Sequence, residues 1–127
     1  MILVDTSAWI DFFRGRGAMA DRVDALIDDD EAALCGPVVT ELRRGFRTAA
    51  DQVKVLPLLD TCHLLDQPAR LWEEAGELGS FLGRRGVTVK TLDLLVVTYA
   101  LAHGLPLLTG DSDFARMKRA GLPLLLA

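Results

Sequence analysis

Short apolar runs alternate with longer helix-forming segments along the whole chain, and this alternation restricts the folds available to it. Apolar runs occupy residues 1–5, 32–35, 61–65 and 105–109, and residues 122–126 form a last strand or an extended tail. Such alternation predicts an α/β fold, in which a mainly parallel central sheet of four to five strands has helices on both faces. Because there is no repeat, linker or low-complexity segment, we expect one domain over residues 1–127.

The helices between the apolar runs carry start and stop signals. Thr6 or Ser7 can cap the first helix, and Thr91 can cap the helix expected at 92–103. Another helix starts at Gly36-Pro37, where proline is tolerated because the first helical N–H groups have no partner within the helix. The first helix should end at the glycine-containing residues 14–17, His103-Gly104 should end the helix at 92–103, and further helices are expected at 18–29, 50–59, 68–85 and 111–119.

The charge distribution argues against one class of nucleic-acid binding. The chain of 127 residues has a net charge of −4, with 11 acidic and 7 basic side chains in residues 1–60 and 7 of each in residues 61–127. Tight, sequence-independent duplex binding draws on many phosphate contacts, which this balance does not supply. It leaves room for a nucleic-acid enzyme, because bound metal ions can meet the phosphate instead.

The ends of the chain and its cysteines bear on location. No apolar run approaches the ~18 residues of a membrane span, and Met1 leads straight into a strand without a basic leader segment. We therefore expect a cytoplasmic protein without a membrane partner. Cys35 and Cys62 do not form a disulfide framework and are expected to be reduced core residues.

Four acidic residues stand where an α/β topology would bring them together: Asp5, Glu41, Asp93 and Asp111. Asp5 and Asp111 follow apolar runs, and ligands of open α/β sheets bind beyond the carboxyl ends of the strands. Two carboxylates about 4 Å apart repel by roughly 4 kcal/mol at an effective dielectric near 20. Either their pKa values rise or a cation fills the site, and an all-oxygen site suits Mg²⁺ or Mn²⁺.

Each acid also has a simpler explanation when it is taken alone. Asp5 and Asp111 are good helix caps, and Asp93 lies in a first helical turn, where negative charge is favourable. Glu41 could be a surface residue that pairs with Arg44. The joint placement of the four carboxylates is therefore more informative than any one of them.

Four motifs, in order, resemble those of PIN-domain ribonucleases, and among them the VapC-type toxins of bacterial toxin–antitoxin pairs. The motifs are Leu3-Val4-Asp5-Thr6-Ser7, the proline-led segment 36–45 around Glu41, the segment 93–100 that Asp93 opens, and Leu108-Thr109-Gly110-Asp111-Ser112-Asp113-Phe114. The similarity covers nearly the whole chain. It departs from the family at residues 94–99, which are bulkier than the usual alanine-rich helix and could alter helix packing or dimer contacts.

The resemblance implies a PIN fold and a Mg²⁺- or Mn²⁺-dependent endoribonuclease that cleaves single-stranded or loop RNA. It makes Asp5, Glu41, Asp93 and Asp111 the metal-binding and catalytic acids, with Ser7 and Thr109 in support and Asp113 as an accessory acid or helix cap. It also implies a cognate antitoxin and a homodimer. The chemistry agrees, because metal ions held by carboxylates can activate water, neutralise phosphate oxygens and assist the leaving oxygen.

Other interpretations stay open at this point. A PIN-fold binding module without turnover and a Mg²⁺-binding receiver-like domain are the alternative functions, although the receiver pattern of paired acids after the first strand is missing. Cys62-His63 resembles half of a zinc site that has no second pair. Two further groups could bind partners or serve structural roles: the arginines Arg14, Arg16, Arg43, Arg44 and Arg47 for RNA phosphates, and the aromatic face of Trp9, Phe12 and Phe13 for an antitoxin helix.

Overall fold

The central feature of the fold is a four-stranded parallel sheet, seen in a computed structural model that describes residues 1–15 and 17–127. Its strands are β1 (Ile2–Val4), β2 (Ala32–Leu34), β3 (His63–Leu64) and β4 (Leu107–Leu108), in the spatial order β3-β2-β1-β4. Leu3 of β1 pairs with Ala33 on one side and Leu107 on the other, so β1 is an inner strand. The expected parallel α/β architecture is confirmed.

Seven helices connect and follow these strands in the described residues. They are α1 (Thr6–Arg14), α2 (Ala18–Asp28), α3 (Gly36–Arg44), α4 (Ala49–Asp60), α5 (Leu71–Arg84), α6 (Thr91–His103) and α7 (Ser112–Arg119). The connections from β1 to β2 and from β2 to β3 run across the sheet in one direction, and the connection from β3 to β4 runs back. Because such connections are right-handed as a rule, the helices of the two directions are expected on opposite faces. Accordingly α1 packs on α2, and α5 packs on α6.

The expected fifth strand is reduced to one contact. Leu126 forms a single parallel bridge with Leu107, while residues 122–125 have no ladder of their own. After β1 the chain continues to the neighbouring strand β2 on one side, whereas after β4, which is an edge strand, it continues away from β1. This divergence places a topological switch point between β1 and β4, where a crevice opens at the carboxyl ends of the strands.

Several expected helix starts are wrong, for identifiable reasons. The hydroxyls of Thr6 and Ser7 bond other side chains, so neither caps α1, and Asp5 stands at the N-cap position without a side-chain cap bond. Thr91 is the first residue of α6 and Lys90 is its N-cap. The helix expected from residue 68 starts at Leu71, because a turn between Pro68 and Leu71 precedes it. Asp111 does cap α7, and Gly104, with a φ of 64°, ends α6 as expected.

The core is formed by apolar side chains of the strands and of the helices packed against them. Trp9, Leu3 and Val4 are fully buried, and Phe12 and Phe13 are half-buried against them. Cys35 is buried and Cys62 half-buried, both as free thiols, and burial raises the pKa of the Cys35 thiol to about 12. None of the described helices has the length and apolar character that crossing a bilayer requires. Arg16, one of the arginines considered for RNA binding, lies outside the described residues.

Candidate active site

A cavity of about 400 Å³ lies at the carboxyl ends of β1 and β4 and contains the acids expected from the sequence. Its lining comprises Asp5, Thr6, Ser7, Ile10, Glu41, Lys90, Thr91, Leu92, Asp93 and Asp111. Asp5 and Asp111 lie more than a hundred residues apart in the sequence, and the switch point brings them together. All four acids expected at one site therefore do line one cavity.

Asp5 is held in place by both backbone and side-chain hydrogen bonds. Its N–H donates to the carbonyl of Leu108 on β4, at 2.9 Å, which joins the ends of the two strands. The hydroxyls of Ser7 and Thr109 each donate to Asp5 Oδ2, also at 2.9 Å. Asp5 is only 4% exposed, so these two donors stabilise a buried carboxylate.

The two hydroxyls are themselves oriented by backbone donors. The N–H of Gly110 donates to Ser7 Oγ at 2.9 Å, and the N–H of Asp111 donates to Thr109 Oγ1 at 3.0 Å. Each hydroxyl has one proton, so a hydroxyl that accepts from the backbone can direct that proton at Asp5. The structure thus gives Ser7 and Thr109 the geometry of supporting groups.

The pKa of Asp93 shows the effect of burial and of the neighbouring carboxylates. Its pKa is raised from 3.8 to about 6, first by burial and then by the negative charges of Asp5, Asp111 and Glu41, while Lys90 acts in the opposite direction. A carboxyl group in such surroundings gains from a cation, which removes the unfavourable charge without protonation.

The remaining acids are Glu41 and Asp111, which line the cavity, and Asp113, which lies beside it close to Asp93 and Asp111. Oxygen atoms of Asp93, Asp111 and Asp113 lie within 4.8 Å of one another, so Asp113 belongs to the tightest group of carboxylates. Asp111 Oδ1 also accepts from the N–H of Asp113 as a helix cap, and Arg116 pairs with Asp113 at 3.2 Å. Glu41 accepts from the hydroxyl of Thr6 at 3.1 Å, and within the described residues it has no ion pair with Arg44.

The donor set fits a hard divalent cation. The cavity lining offers carboxylate and hydroxyl oxygens and no thiol or imidazole, which is the ligand type that Mg²⁺ and Mn²⁺ prefer. Cys62 and His63 form no zinc group with other side chains in residues 1–15 and 17–127. His63 instead bonds Asp30, and His103 bonds the carbonyl of Asp66.

A second depression, of about 430 Å³, adjoins the acidic cavity and shares Thr6, Ile10 and Glu41 with it. We call this depression the α1–α4 groove; its other lining residues are Phe13, Arg14, Leu42, Gly45, Phe46, Arg47, Asp51, Lys54 and Val55. Its lining combines apolar side chains with three basic ones, Arg14, Arg47 and Lys54, and two acidic ones, Glu41 and Asp51. Arg43 and Arg44 are exposed but do not line it.

Sequence reasoning missed two polar residues at the site. Thr6 was considered only as a helix cap, and Lys90 was not considered at all, although both lie within three positions of a candidate acid. Of the aromatic face, Trp9 is fully buried and Phe12 and Phe13 pack against the core, which agrees with the structural role considered for them, while antitoxin binding by this face stays a prediction. Phe12 does not line the groove. Only Phe13 of that face reaches it.

Comparison with known proteins agrees over most of the chain. The family model described as PIN domain matches residues 2–120. Ribonuclease VapC11 of Mycobacterium tuberculosis (strain ATCC 25618 / H37Rv) is 32% identical over 124 residues, which cover 90% of this chain and 89% of that protein. Ribonuclease VapC5 of the same strain is 28% identical over 127 residues, which cover 93% and 88% of the two chains.

Solved structures show the same fold at lower sequence identity. VapBC2 from Rickettsia felis, bound to a DNA fragment from its promoter, superposes with a TM-score of 0.78 at 21% identity, covering 100% of this chain and 98% of that chain. A toxin–antitoxin complex from Klebsiella pneumoniae gives a TM-score of 0.77 at 23% identity, with 100% and 97% covered. At these identities the likeness concerns the fold.

Proposed function

The chain belongs to the PIN-domain family, among the VapC ribonucleases, and we propose that it is a divalent-metal-dependent endoribonuclease that cleaves single-stranded or loop RNA. The observation that carries this proposal is the convergence of Asp5, Glu41, Asp93 and Asp111 on one cavity at the switch point of the sheet. Membership of the PIN-domain family also argues against the receiver-like domain considered from the sequence.

We assign the four carboxylates, with Asp113, to holding Mg²⁺ or Mn²⁺. When bound, such an ion supplies an activated water and neutralises phosphate oxygens. Ser7 and Thr109 fix Asp5 through Oδ2, so that its other oxygen can face the cavity. Thr6 orients Glu41 in the same way, through Oε1.

A toxin role and a protein partner belong to the same proposal. Among the similar structures is one described as a toxin–antitoxin complex, and the α1–α4 groove beside the cavity offers apolar side chains together with three basic and two acidic ones. We infer that an antitoxin segment occupies this groove and covers the acids. The single domain over residues 1–127, the homodimer and the cytoplasmic location expected from the sequence stay predictions.

The test is RNA cleavage by antitoxin-free protein. A mixed panel of single-stranded RNAs is incubated with Mg²⁺, with Mn²⁺ or with EDTA, using wild-type protein, Asp5→Asn and the matched control Asp24→Asn, which changes an exposed acid on α2. We expect metal-dependent cleavage that Asp5→Asn loses and Asp24→Asn keeps. Cleavage that persists in EDTA, or in pure Asp5→Asn protein, would contradict the assignment.

The alternative is a PIN-fold binding module without turnover. It predicts RNA binding and a metal-dependent rise in melting temperature without cleavage of any RNA in the panel. The intact set of acids favours the enzyme, because a binding module has no need to keep mutually repelling carboxylates in a cavity.

A further inference from the structure

Lys90 is a cation placed among carboxylates at the mouth of the acidic cavity. It lines the cavity together with Asp5, Glu41, Asp93 and Asp111, and its side chain is exposed. Among the described residues that line this cavity, it alone carries a positive charge. Its position therefore gives it access both to the acids and to anything that enters from solvent.

Lys90 is not held in an ion pair. No described carboxylate forms a salt bridge with its ammonium group, although Lys90 is close enough to lower the pKa of Asp93. An exposed, unpaired lysine keeps its conformational freedom and its charge, and both are available to an anionic ligand.

A structural role does not explain this lysine. It occupies the N-cap of α6, where the side chain makes no capping hydrogen bond. Lysine has no acceptor atom for the first helical N–H groups, and a positive charge at a helix N-terminus is unfavourable with respect to the helix dipole. Serine, threonine or aspartate at this N-cap position would stabilise helix α6 more than lysine does.

We propose that Lys90 is a positioning residue that binds a backbone phosphate of the RNA at the rim of the cavity, beside the bond to be cleaved. This inference rests on the proposed ribonuclease function. Lysine binds phosphate as a point charge, and an exposed lysine beside the carboxylates can reach the phosphate of a strand that enters the cavity. Lys90 supplies the one positive side chain among the described residues that line the cavity, in addition to the charge of any metal ion that the carboxylates hold.

The experiment compares Lys90→Gln and Lys90→Arg with the control Lys118→Gln, which removes an exposed lysine of α7 that does not line the cavity. Two quantities are measured: kcat and KM for cleavage with Mg²⁺ or Mn²⁺, and binding of a short fluorescein-labelled mixed-sequence RNA in Ca²⁺ over a series of KCl concentrations. We expect Lys90→Gln to raise KM by about three- to fivefold, as for one exposed charge pair, with little change in kcat.

The salt dependence provides a readout that a structural role would not move. Loss of one phosphate contact should reduce the slope of log K against log salt by about 0.7. Lys90→Arg should restore both the KM and the slope. If Lys90→Gln matches Lys118→Gln in both, or lowers kcat and melting temperature with an unchanged slope, the proposal is wrong.

The two proposals fail in different ways. If wild-type protein cleaves RNA and Lys90→Gln cleaves it with the same KM and salt slope, only the role of Lys90 is overturned. If no protein cleaves RNA but the wild type binds it with a slope that Lys90→Gln reduces, the ribonuclease function fails while the phosphate contact stands. If the wild type does not bind the RNA, both are overturned.

Discussion

The hydroxyl of Thr109 links Asp5 to the N–H of Asp111 and lies within hydrogen-bond distance of the Ser7 hydroxyl, and a nearly isosteric change can test its contribution. Thr109→Val removes the donor to Asp5 Oδ2 and the acceptor for the N–H of Asp111. We expect the free energy of unfolding to fall by about 1–2 kcal/mol and metal affinity to weaken, because Asp5 loses its fixed orientation. Calorimetry with Mn²⁺ measures the affinity.

Thr98→Val is the matched control, since the Thr98 hydroxyl donates only to the Leu94 carbonyl of its own helix. It should leave Mn²⁺ affinity unchanged. Equal affinities of the two variants would mean that the hydroxyl of Thr109 does not support Asp5.

Asp93 makes the metal-free protein sensitive to pH. Its folded-state pKa of about 6 exceeds the ordinary 3.8, so the folded state keeps a proton that the unfolded state has lost. Stability in EDTA should therefore fall as pH rises from about 4 to about 6 and then level off. Asp93→Asn removes this loss of stability. Above pH 7 we expect its free energy of unfolding in EDTA to exceed that of the wild type by about 1–2 kcal/mol. This is less than the full equivalent of the pKa change, because the cavity is open to water.

Urea unfolding in EDTA across this pH range measures the effect on Asp93→Asn. Asp24→Asn, in an exposed position on α2, should show no comparable gain. A difference between wild type and Asp93→Asn that is the same at low and high pH would contradict the account of Asp93.

Helix α7 depends on a residue that also belongs to the site. Asp111 Oδ1 accepts from the N–H of Asp113 as an N-cap, and the same carboxylate lines the acidic cavity. Asparagine caps as well as aspartate does but lacks the charge, whereas alanine lacks both. Asp111→Asn should therefore lose RNA cleavage at unchanged or slightly raised stability, and Asp111→Ala should lose cleavage and about 1 kcal/mol of stability. Thermal unfolding together with cleavage assays separates these outcomes, and equal stability of the two variants would show that the cap contributes little.

The elements show which parts of the molecule the sequence could predict. Strong periodicity and glycine or proline signals placed α2, α3, α6 and their order correctly, because these signals are local. Strand lengths were overestimated, as in residues 61–65, where only His63–Leu64 pair. Pairing depends on a neighbouring strand, which a single segment does not reveal.

The residues of the candidate site also differ in how far the sequence could predict them. Asp5, Glu41, Asp93 and Asp111 were predicted to converge because their positions relative to strands and helices are readable from the sequence, and all four line one cavity. The roles of Thr6 and Lys90 depend on side chains that meet across 35 or more residues or at the rim of a cavity. No local pattern distinguishes such residues from an ordinary cap or a solvated lysine.

At the scale of the whole molecule, metal binding should be linked to folding. The carboxylates of the cavity come from β1, α3, α6 and the region of α7, so a cation held among them ties distant parts of the chain together. Mn²⁺ or Mg²⁺ should raise the melting temperature by a few degrees, and EDTA should reverse the rise. Asp5→Asn should abolish most of it, as measured by scanning calorimetry; a wild-type melting temperature indifferent to metal would contradict a folded metal site.

The α1–α4 groove is the surface on which we propose that an antitoxin segment controls access to the acidic cavity. An antitoxin segment would complement the groove if it placed apolar side chains against Phe13, Phe46 and Val55 and acidic ones near Arg47 and Lys54. Its acidic side chains would have to lie away from Asp51 and Glu41, which also line the groove. Because Thr6, Ile10 and Glu41 line both depressions, such a segment would also close the route by which RNA reaches the acids.

Phe46→Ala tests this arrangement, because Phe46 lines the groove and its side chain is half-buried there. Its removal should weaken antitoxin binding about tenfold, as for a buried aromatic anchor, and should let the variant cleave RNA at antitoxin concentrations that silence the wild type. Trp72→Ala is the control, since Trp72 is 64% exposed on α5 and lies outside the groove. Titration calorimetry measures both affinities after circular dichroism has shown that the variants are folded. If the Phe46 and Trp72 variants bind the antitoxin equally well, the antitoxin does not use this groove, and the carboxylates must be covered from another side.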